Sequence, residues 1–181
     1  MKAVATVLPE VMILEPKVFG DARGFFMESF NREAFEKATG CQRDFVQDNH
    51  SRSRRGVLRG LHYQLEQPQG KLVRVTHGRV FDVAVDLRRS SPRFGQWVGV
   101  EISSDNHRQL WVPEGFGHGF VVLSESADFL YKTTDYYHPA SERCIRYDDP
   151  ELGIEWPDVA DLTLSDKDLA GASLREAEVF A

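Results

Sequence analysis

The chain has 181 residues and a formal charge of -6, with 41% hydrophobic and 28% charged residues. That length suits one ordinary domain spanning 1–181, able to bury a core without disulfide or metal staples. The acidic balance argues against a nucleic-acid partner, which needs a cationic surface to displace counterions, and no apolar run approaches the roughly 18 residues of a membrane span.

In chain order, the opening MKAVATVLPEVMILEPKVFG is apolar only in pieces broken by Pro9, Glu10, Glu15 and Pro16. It lacks the continuous apolar core of a secretory signal, so a cytoplasmic location is expected. A helix is expected over Arg32–Thr39, with Asn31 as N-cap and Gly40 as C-terminal stop. Cys41 and Cys144 belong to no CxxC or Cys/His array and are read as reduced. The basic cluster Arg52, Arg54, Arg55 and Arg59 suits a diphosphate, but Arg52–Arg55 read better as a solvated loop, which leaves Arg59 as the site candidate.

From Val57 to Arg146 the sequence is a series of short runs rich in Val, Phe, Tyr, Trp and Thr, punctuated by Gly, Pro, Asn and Asp. Strands are expected over 57–65, 72–75, 79–87, 96–102, 108–112, 117–123, 128–134 and 143–147, an all-β pattern of the sandwich or jelly-roll kind. In 80–87, Phe81, Val83, Val85 and Leu87 alternate with Val80, Asp82, Ala84 and Asp86, giving one dry face and one partly polar face able to line a cavity. Beyond Ser165 a short helical stretch is expected.

Three segments carry chemistry. RGLHYQ sets His62 among apolar neighbours and is followed by Lys71 in QGKLVRV. Alone, such a His is more often a satisfied core residue, and such a Lys a solvated one. WVPEGFGHGF uses three glycines and a proline to deliver His118 at the start of an apolar strand, although glycines there also suit simple turns. In DFLYKTTDYYHP, Tyr131 and Tyr137 share strand parity. Taken together, an imidazole, an ammonium and a phenol supply what proton abstraction beside a ketone requires: a base, a cation for the enolate oxygen, and an acid for the opposite face. Such chemistry needs no cofactor.

These segments, with GRVFDVAVDLR, FGQWVGV and the opening EPKVFGDARGFFMES, resemble the dTDP-4-dehydrorhamnose 3,5-epimerase family almost end to end. The resemblance implies a cupin-type jelly-roll β-sandwich with a few short peripheral helices, a homodimer, and conversion of dTDP-4-dehydro-6-deoxy-D-glucose to dTDP-4-dehydro-L-rhamnose. It implies His62 as base, Tyr131 as acid, Lys71 as enolate-stabilising lysine and Asp168 as the carboxylate orienting His62. It further assigns Arg23, Glu28, Gln47, Asp48, Asn49, Arg59, Lys71, His118, Glu142 and Lys167 to the nucleotide sugar, with Tyr137 stacking on thymine; for Asp48 a plain turn role is an equal reading. The dimer it implies carries a segment near 4–14 across between subunits.

Arg59 and His62 differ in strand parity, so both can face one cavity only if the strand is re-aimed, and Gly60 is the place expected for a bulge. PEGFGH also resembles the second motif of metal-binding cupins, but where their first motif reads HxH this chain has His62-Tyr63-Gln64, so no metal is expected. A single-carbon epimerase and a non-catalytic nucleotide-sugar binder are the remaining readings, and retention of His62, Lys71, Tyr131 and Asp168 weighs against the latter. No GxGxxG opens a helix, which removes a nicotinamide-dependent reductase.

Overall fold

The computed structural model describes residues Met1–Ala181. The chain opens with β1 (Lys2–Ala5), β2 (Met12–Glu15), β3 (Val18–Asp21), β4 (Gly24–Met27) and helix α1 (Arg32–Thr39). There follow β5 (Gln47–Arg54), β6 (Leu58–Gln64), β7 (Lys71–His77), β8 (Arg79–Asp86) and β9 (Trp97–Ser103). Strands β10 (Gln109–Val112), β11 (Phe116–Val122), β12 (Ser126–Thr133) and β13 (Glu142–Cys144) complete the set, and a one-turn helix α2 (Asp166–Leu169) lies near the C-terminus. No helix is long and apolar enough to cross a membrane.

The strands form a six-stranded sheet in the order β1-β2-β10-β7-β12-β5 and a five-stranded sheet in the order β13-β6-β11-β8-β9, with β3-β4 as a separate hairpin. This is a cupin-type β-sandwich. Side chains of alternate parity from both sheets make the core between them: Val73 and Val75, Val80 and Ala84, Val98 to Ile102, Phe116, Phe120 and Val122, Ala127 and Phe129. The rings of Phe120 and Phe129 stack with centroids 3.9 Å apart. His118 shares the parity of Phe120, Asp82 that of Val80, and Lys71 that of Val73, so the alternation that builds the core also aims these polar groups inward.

Both outer faces are covered as well. The dry face of β8, with Val83, Val85 and Leu87, packs with Leu61 and Tyr63 under the C-terminal segment carrying Ile145, Leu174 and Ala177. Helix α1 covers the other sheet by setting Phe35 against Leu14, Leu72 and Trp111. Its limits follow from its caps: the Asn31 side chain accepts from the Ala34 amide, and Gly40 takes a left-handed φ of 73°.

Two expectations are corrected. Residues 52–55 are not all loop, because Gln47–Arg54 pairs with β12 along its whole length, and Arg52 forks onto Asp128 at 2.7 and 2.6 Å. Tyr131 and Tyr137 do not share a strand, since β12 ends at Thr133. The short helix expected beyond Ser165 is present as a single turn. Residues 2–15 carry the β1–β2 hairpin, which pairs with β10 of the same chain. The bulge at Gly60 is present: β6 pairs His62 with His118 but Arg59 with Phe120, so three steps on one strand oppose two on the other.

Phe129→Ala would remove the stacked ring at the centre of the core, and a loss of about 3–5 kcal/mol is expected. Urea unfolding is the check, as a lowered midpoint with an unchanged m-value.

Candidate active site

At one end of the sandwich the apolar filling stops and a cavity of about 270 Å³ opens, lined by Asn49, His50, Ser51, Arg59, His62, Lys71, His118, Tyr131 and the Gly119–Phe120 and Phe129 floor. A second cavity of about 210 Å³ shares Asn49, His50 and Tyr131 with it and adds Asp48 and Lys132. Both sheets contribute: His62 and His118 come from one, Asn49, Lys71 and Tyr131 from the other.

The His62 imidazole has Nε2 2.7 Å from Asp168 Oδ1, sealed from solvent, with the ring N–H direction off the oxygen. Nδ1 makes no protein hydrogen bond, leaving it to the cavity that His62 lines. Asp168 is aimed by local chemistry. It is the third residue of α2, where the Ser165 hydroxyl donates to its Oδ2 at 2.6 Å and caps the helix, while the Gly60 amide donates to Oδ1 at 3.0 Å. Burial alone would raise the Asp168 carboxyl, but His62, Ser165 and the Gly60 amide outweigh it and hold it well below the usual carboxylate range.

Lys71 faces the cavity with Nζ 3.4 Å from the His62 carbonyl oxygen, which accepts from it. Burial brings its ammonium down to about 8, against the pull of Asp82 and Glu142. Tyr131 is half-buried, and burial raises its phenol, with Glu142 adding to the effect, so it keeps its proton at neutral pH. His118 is buried, and its Nε2 meets both oxygens of the fully buried Asp82 at 2.9 and 3.1 Å.

A second cluster stands beside the cavity. Tyr137 Oη donates to Glu142 Oε2 at 2.6 Å, Lys167 pairs with the other Glu142 oxygen, and Gln47 links the Tyr137 amide to Asn49 at 3.1 and 3.0 Å. Asp48 is held by Lys132 at 2.8 Å, and Arg59 is steadied by the Ser53 hydroxyl at 3.1 Å. The cavity thus gathers Asn49, Arg59, His62, Lys71, His118 and Tyr131, with Gln47, Asp48, Tyr137, Glu142, Lys167 and Asp168 as direct or second neighbours. Arg23 and Glu28 are not among them. Arg23 sits on the β3–β4 hairpin, bonded to Asp21, and Glu28 follows that hairpin, exposed.

Two residues near the site escape sequence reasoning. Asp82 was visible only as a member of the partly polar face of β8. Cys144, opposite His62 in the β13–β6 register, carried no signal at all, and burial beside Asp168 pushes its thiol up to about 12.

Fold and site together define a cupin-type sandwich with an acid–base cavity. The family model for dTDP-4-dehydrorhamnose 3,5-epimerase matches residues 5–176, and the dTDP-4-dehydrorhamnose 3,5-epimerase of Pseudomonas aeruginosa is 62% identical over 180 residues, 99% of each chain. The crystal structure of a dTDP-6-deoxy-D-glucose-3,5-epimerase from Legionella pneumophila with dTDP-4-keto-L-rhamnose superposes with a TM-score of 0.96 at 56% identity, covering 98% of this chain and 94% of that one. A 3'-monoepimerase from Streptomyces bikiniensis in complex with dTDP-quinovose gives 0.88 at 34%, covering 97% and 88%. The chain belongs to the dTDP-4-dehydrorhamnose 3,5-epimerase family.

Because the Asp168 carboxyl is held below its unfolded value of about 3.9, its ionised form stabilises the fold above that pH and the contribution fades as pH falls through the folded value. Asp168→Asn is therefore expected to be less stable at neutral pH, with the gap from wild type narrowing below about pH 4. Urea midpoints across that range decide it: a gap independent of pH would assign the loss to packing.

Proposed function

We propose that residues 1–181 act in the cytoplasm as one cofactor-independent epimerase domain, inverting carbons 3 and 5 of dTDP-4-dehydro-6-deoxy-D-glucose to give dTDP-4-dehydro-L-rhamnose. The observation that carries the reading is that His62 and Tyr131 enter one cavity from opposite sheets, with Lys71 beside them. Inversion needs a proton taken from one face of the sugar ring and returned to the other, and a base and an acid on facing walls meet that need.

In this reading His62 Nδ1 removes the proton from the carbon beside the ketone. The Asp168 carboxylate keeps the Nε2 proton in place and stabilises the imidazolium that forms. Charge then moves to the oxygen on carbon 4, where the Lys71 ammonium stabilises it in a site largely closed to water. Carbons 3 and 5 flank the same carbonyl, so one cation serves both steps. The Tyr131 phenol, kept protonated by burial, returns a proton from the far wall. His118, held by Asp82, adds a hydrogen bond to the sugar.

For the nucleotide half, Arg59 offers a planar fork to the diphosphate, and Lys167 adds a second cation beside Glu142. Tyr137 presents an exposed ring for thymine, and Gln47, Asp48 and Asn49 supply amides and a carboxylate along β5. Arg23 and Glu28 fit this role only in a homodimer. Their hairpin leaves Phe19, Phe25 and Phe26 52%, 62% and 69% exposed. Such an arm suits a second copy of the chain, whose cavity it would complete.

Incubation with dTDP-4-dehydro-6-deoxy-D-glucose in deuterium oxide, with EDTA and then a rhamnose-forming reductase, tests the activity by proton NMR. Deuterium at both carbons with L-rhamnose formed is expected, whereas exchange at one carbon would make this a single-carbon epimerase and none would leave a binding protein. His62→Ala should abolish exchange while still binding dTDP, and Tyr131→Phe should keep abstraction while losing inversion at a carbon.

The assembly has its own check. Light scattering at micromolar concentration should give twice the chain mass, falling toward a monomer when Phe25 and Phe26 are both changed to Ser. A monomeric wild type with full turnover would exclude the shared cavity.

A further inference from the structure

Cys144 has no part in the acid–base reading, yet it stands directly opposite His62 across the β13–β6 ladder. Its sulfur makes one weak contact, 3.6 Å to the Ile145 carbonyl oxygen. A ring nitrogen of His62, the Cys144 sulfur and a carboxylate oxygen of Asp168 all lie within 4.8 Å of one another. Of these, His62 Nε2 is closed off from solvent without an aligned hydrogen-bond partner.

We infer that His62, Cys144 and Asp168 form a binding site for a thiophilic divalent cation of the Zn²⁺ type, and that its occupation silences the enzyme. Imidazole nitrogen, thiolate and carboxylate oxygen are the ligands such a cation takes, at about 2.0–2.3 Å and in tetrahedral array with a fourth position open to water. Ligand atoms in that array stand about 3.5 Å apart. The three atoms, all within 4.8 Å of one another and with His62 Nε2 and Asp168 Oδ1 at 2.7 Å, reach that spacing by side-chain adjustment that draws the sulfur in and parts the His62–Asp168 pair. The outer shell is already built: Ser165 and the Gly60 amide hold the Asp168 oxygens, as metal sites require of a ligating carboxylate. The nearby cation Lys167 is paired with Glu142.

The inhibitory consequence rests on the reading of His62 as the base. A neutral imidazole has one lone pair, so a cation on Nε2 takes it and fixes the ring proton on Nδ1. No basic nitrogen then faces the sugar. Binding is a plain exchange: the thiol bonds to the cation through sulfur and releases its proton to solvent, and dissociation restores the resting pair of His62 and Asp168. The site is distinct from any metal requirement, since turnover belongs to the cation-free form.

The test uses the Cys41→Ser protein, in which Cys144 is the remaining thiol, stripped of metal with EDTA and then freed of chelator. Titration with Cd²⁺ should raise a thiolate-to-metal charge-transfer band in the ultraviolet that saturates at one equivalent per chain. Zn²⁺ should stop deuterium exchange into the substrate, and EDTA should restore it. Further change of Cys144→Ala should leave cation-free turnover intact, abolish the band, and raise the Zn²⁺ needed for half-inhibition at least the ~10–100-fold that loss of a supporting partner costs. Inhibition of the Cys144→Ala protein at the same Zn²⁺ concentration, or saturation without a thiolate band, would overturn the site. If the cation-free protein catalyses no exchange, the base reading fails instead, while the band still decides whether the cation binds.

Discussion

Gly60 is the point on which the site hangs. Its φ of 113° and its approach to β11, where a Cβ would stand 2.5 Å from the His118 carbonyl oxygen, restrict the position to glycine. The bulge there gives β6 one residue more than its partner, so Arg59 and His62 both turn toward the cavity although their spacing puts them on opposite faces of a regular strand. The same residue sends its amide to Asp168 Oδ1. One irregularity therefore aims Arg59 and His62 into the cavity, and anchors the carboxylate behind that imidazole.

Around this point the sandwich separates two kinds of interior. Where Phe116, Phe120, Phe129 and the valines interdigitate, apolar burial stabilises the fold at roughly 25 cal/mol per Å². Where the cavity opens, the same strands bring in Asp82, His118, Lys71 and Tyr131, groups whose burial is unfavourable unless paired. The fold handles this by coupling them: Asp82 with His118, Asp168 with His62, Glu142 with Lys167 and Tyr137. The residual desolvation is visible in the depressed Lys71 and the raised Tyr131. A site assembled from cross-strand neighbours also keeps its spacing, because strand register, not loop conformation, sets the distances.

The β3–β4 hairpin lies outside that economy. It exposes three phenylalanines and an arginine whose nearest charge is its own neighbour Asp21. Within one chain the hairpin is apolar surface left without cover.

Much of the molecule could be read along the chain because it is governed by local or period-two rules. The caps of α1 lie at Asn31 and Gly40, and the inward parity of Asp82 follows from the valines around it. The need for a bulge between Arg59 and His62 follows from counting alone, and the motifs around His62, Lys71, His118 and Tyr131 carry the family. What the sequence could not disclose depends on partners distant in the chain. The polar run Gln47–Arg54 has no apolar alternation, and it becomes a strand because β12 pairs with its backbone and Asp128 with its Arg52. Asp168 meets His62 only because α2 docks against β6, and Cys144 faces His62 only because β13 pairs there. The hairpin bearing Arg23 lies apart from the cavity for the same reason: backbone pairing and docking between remote segments fix such positions, and no local pattern encodes them.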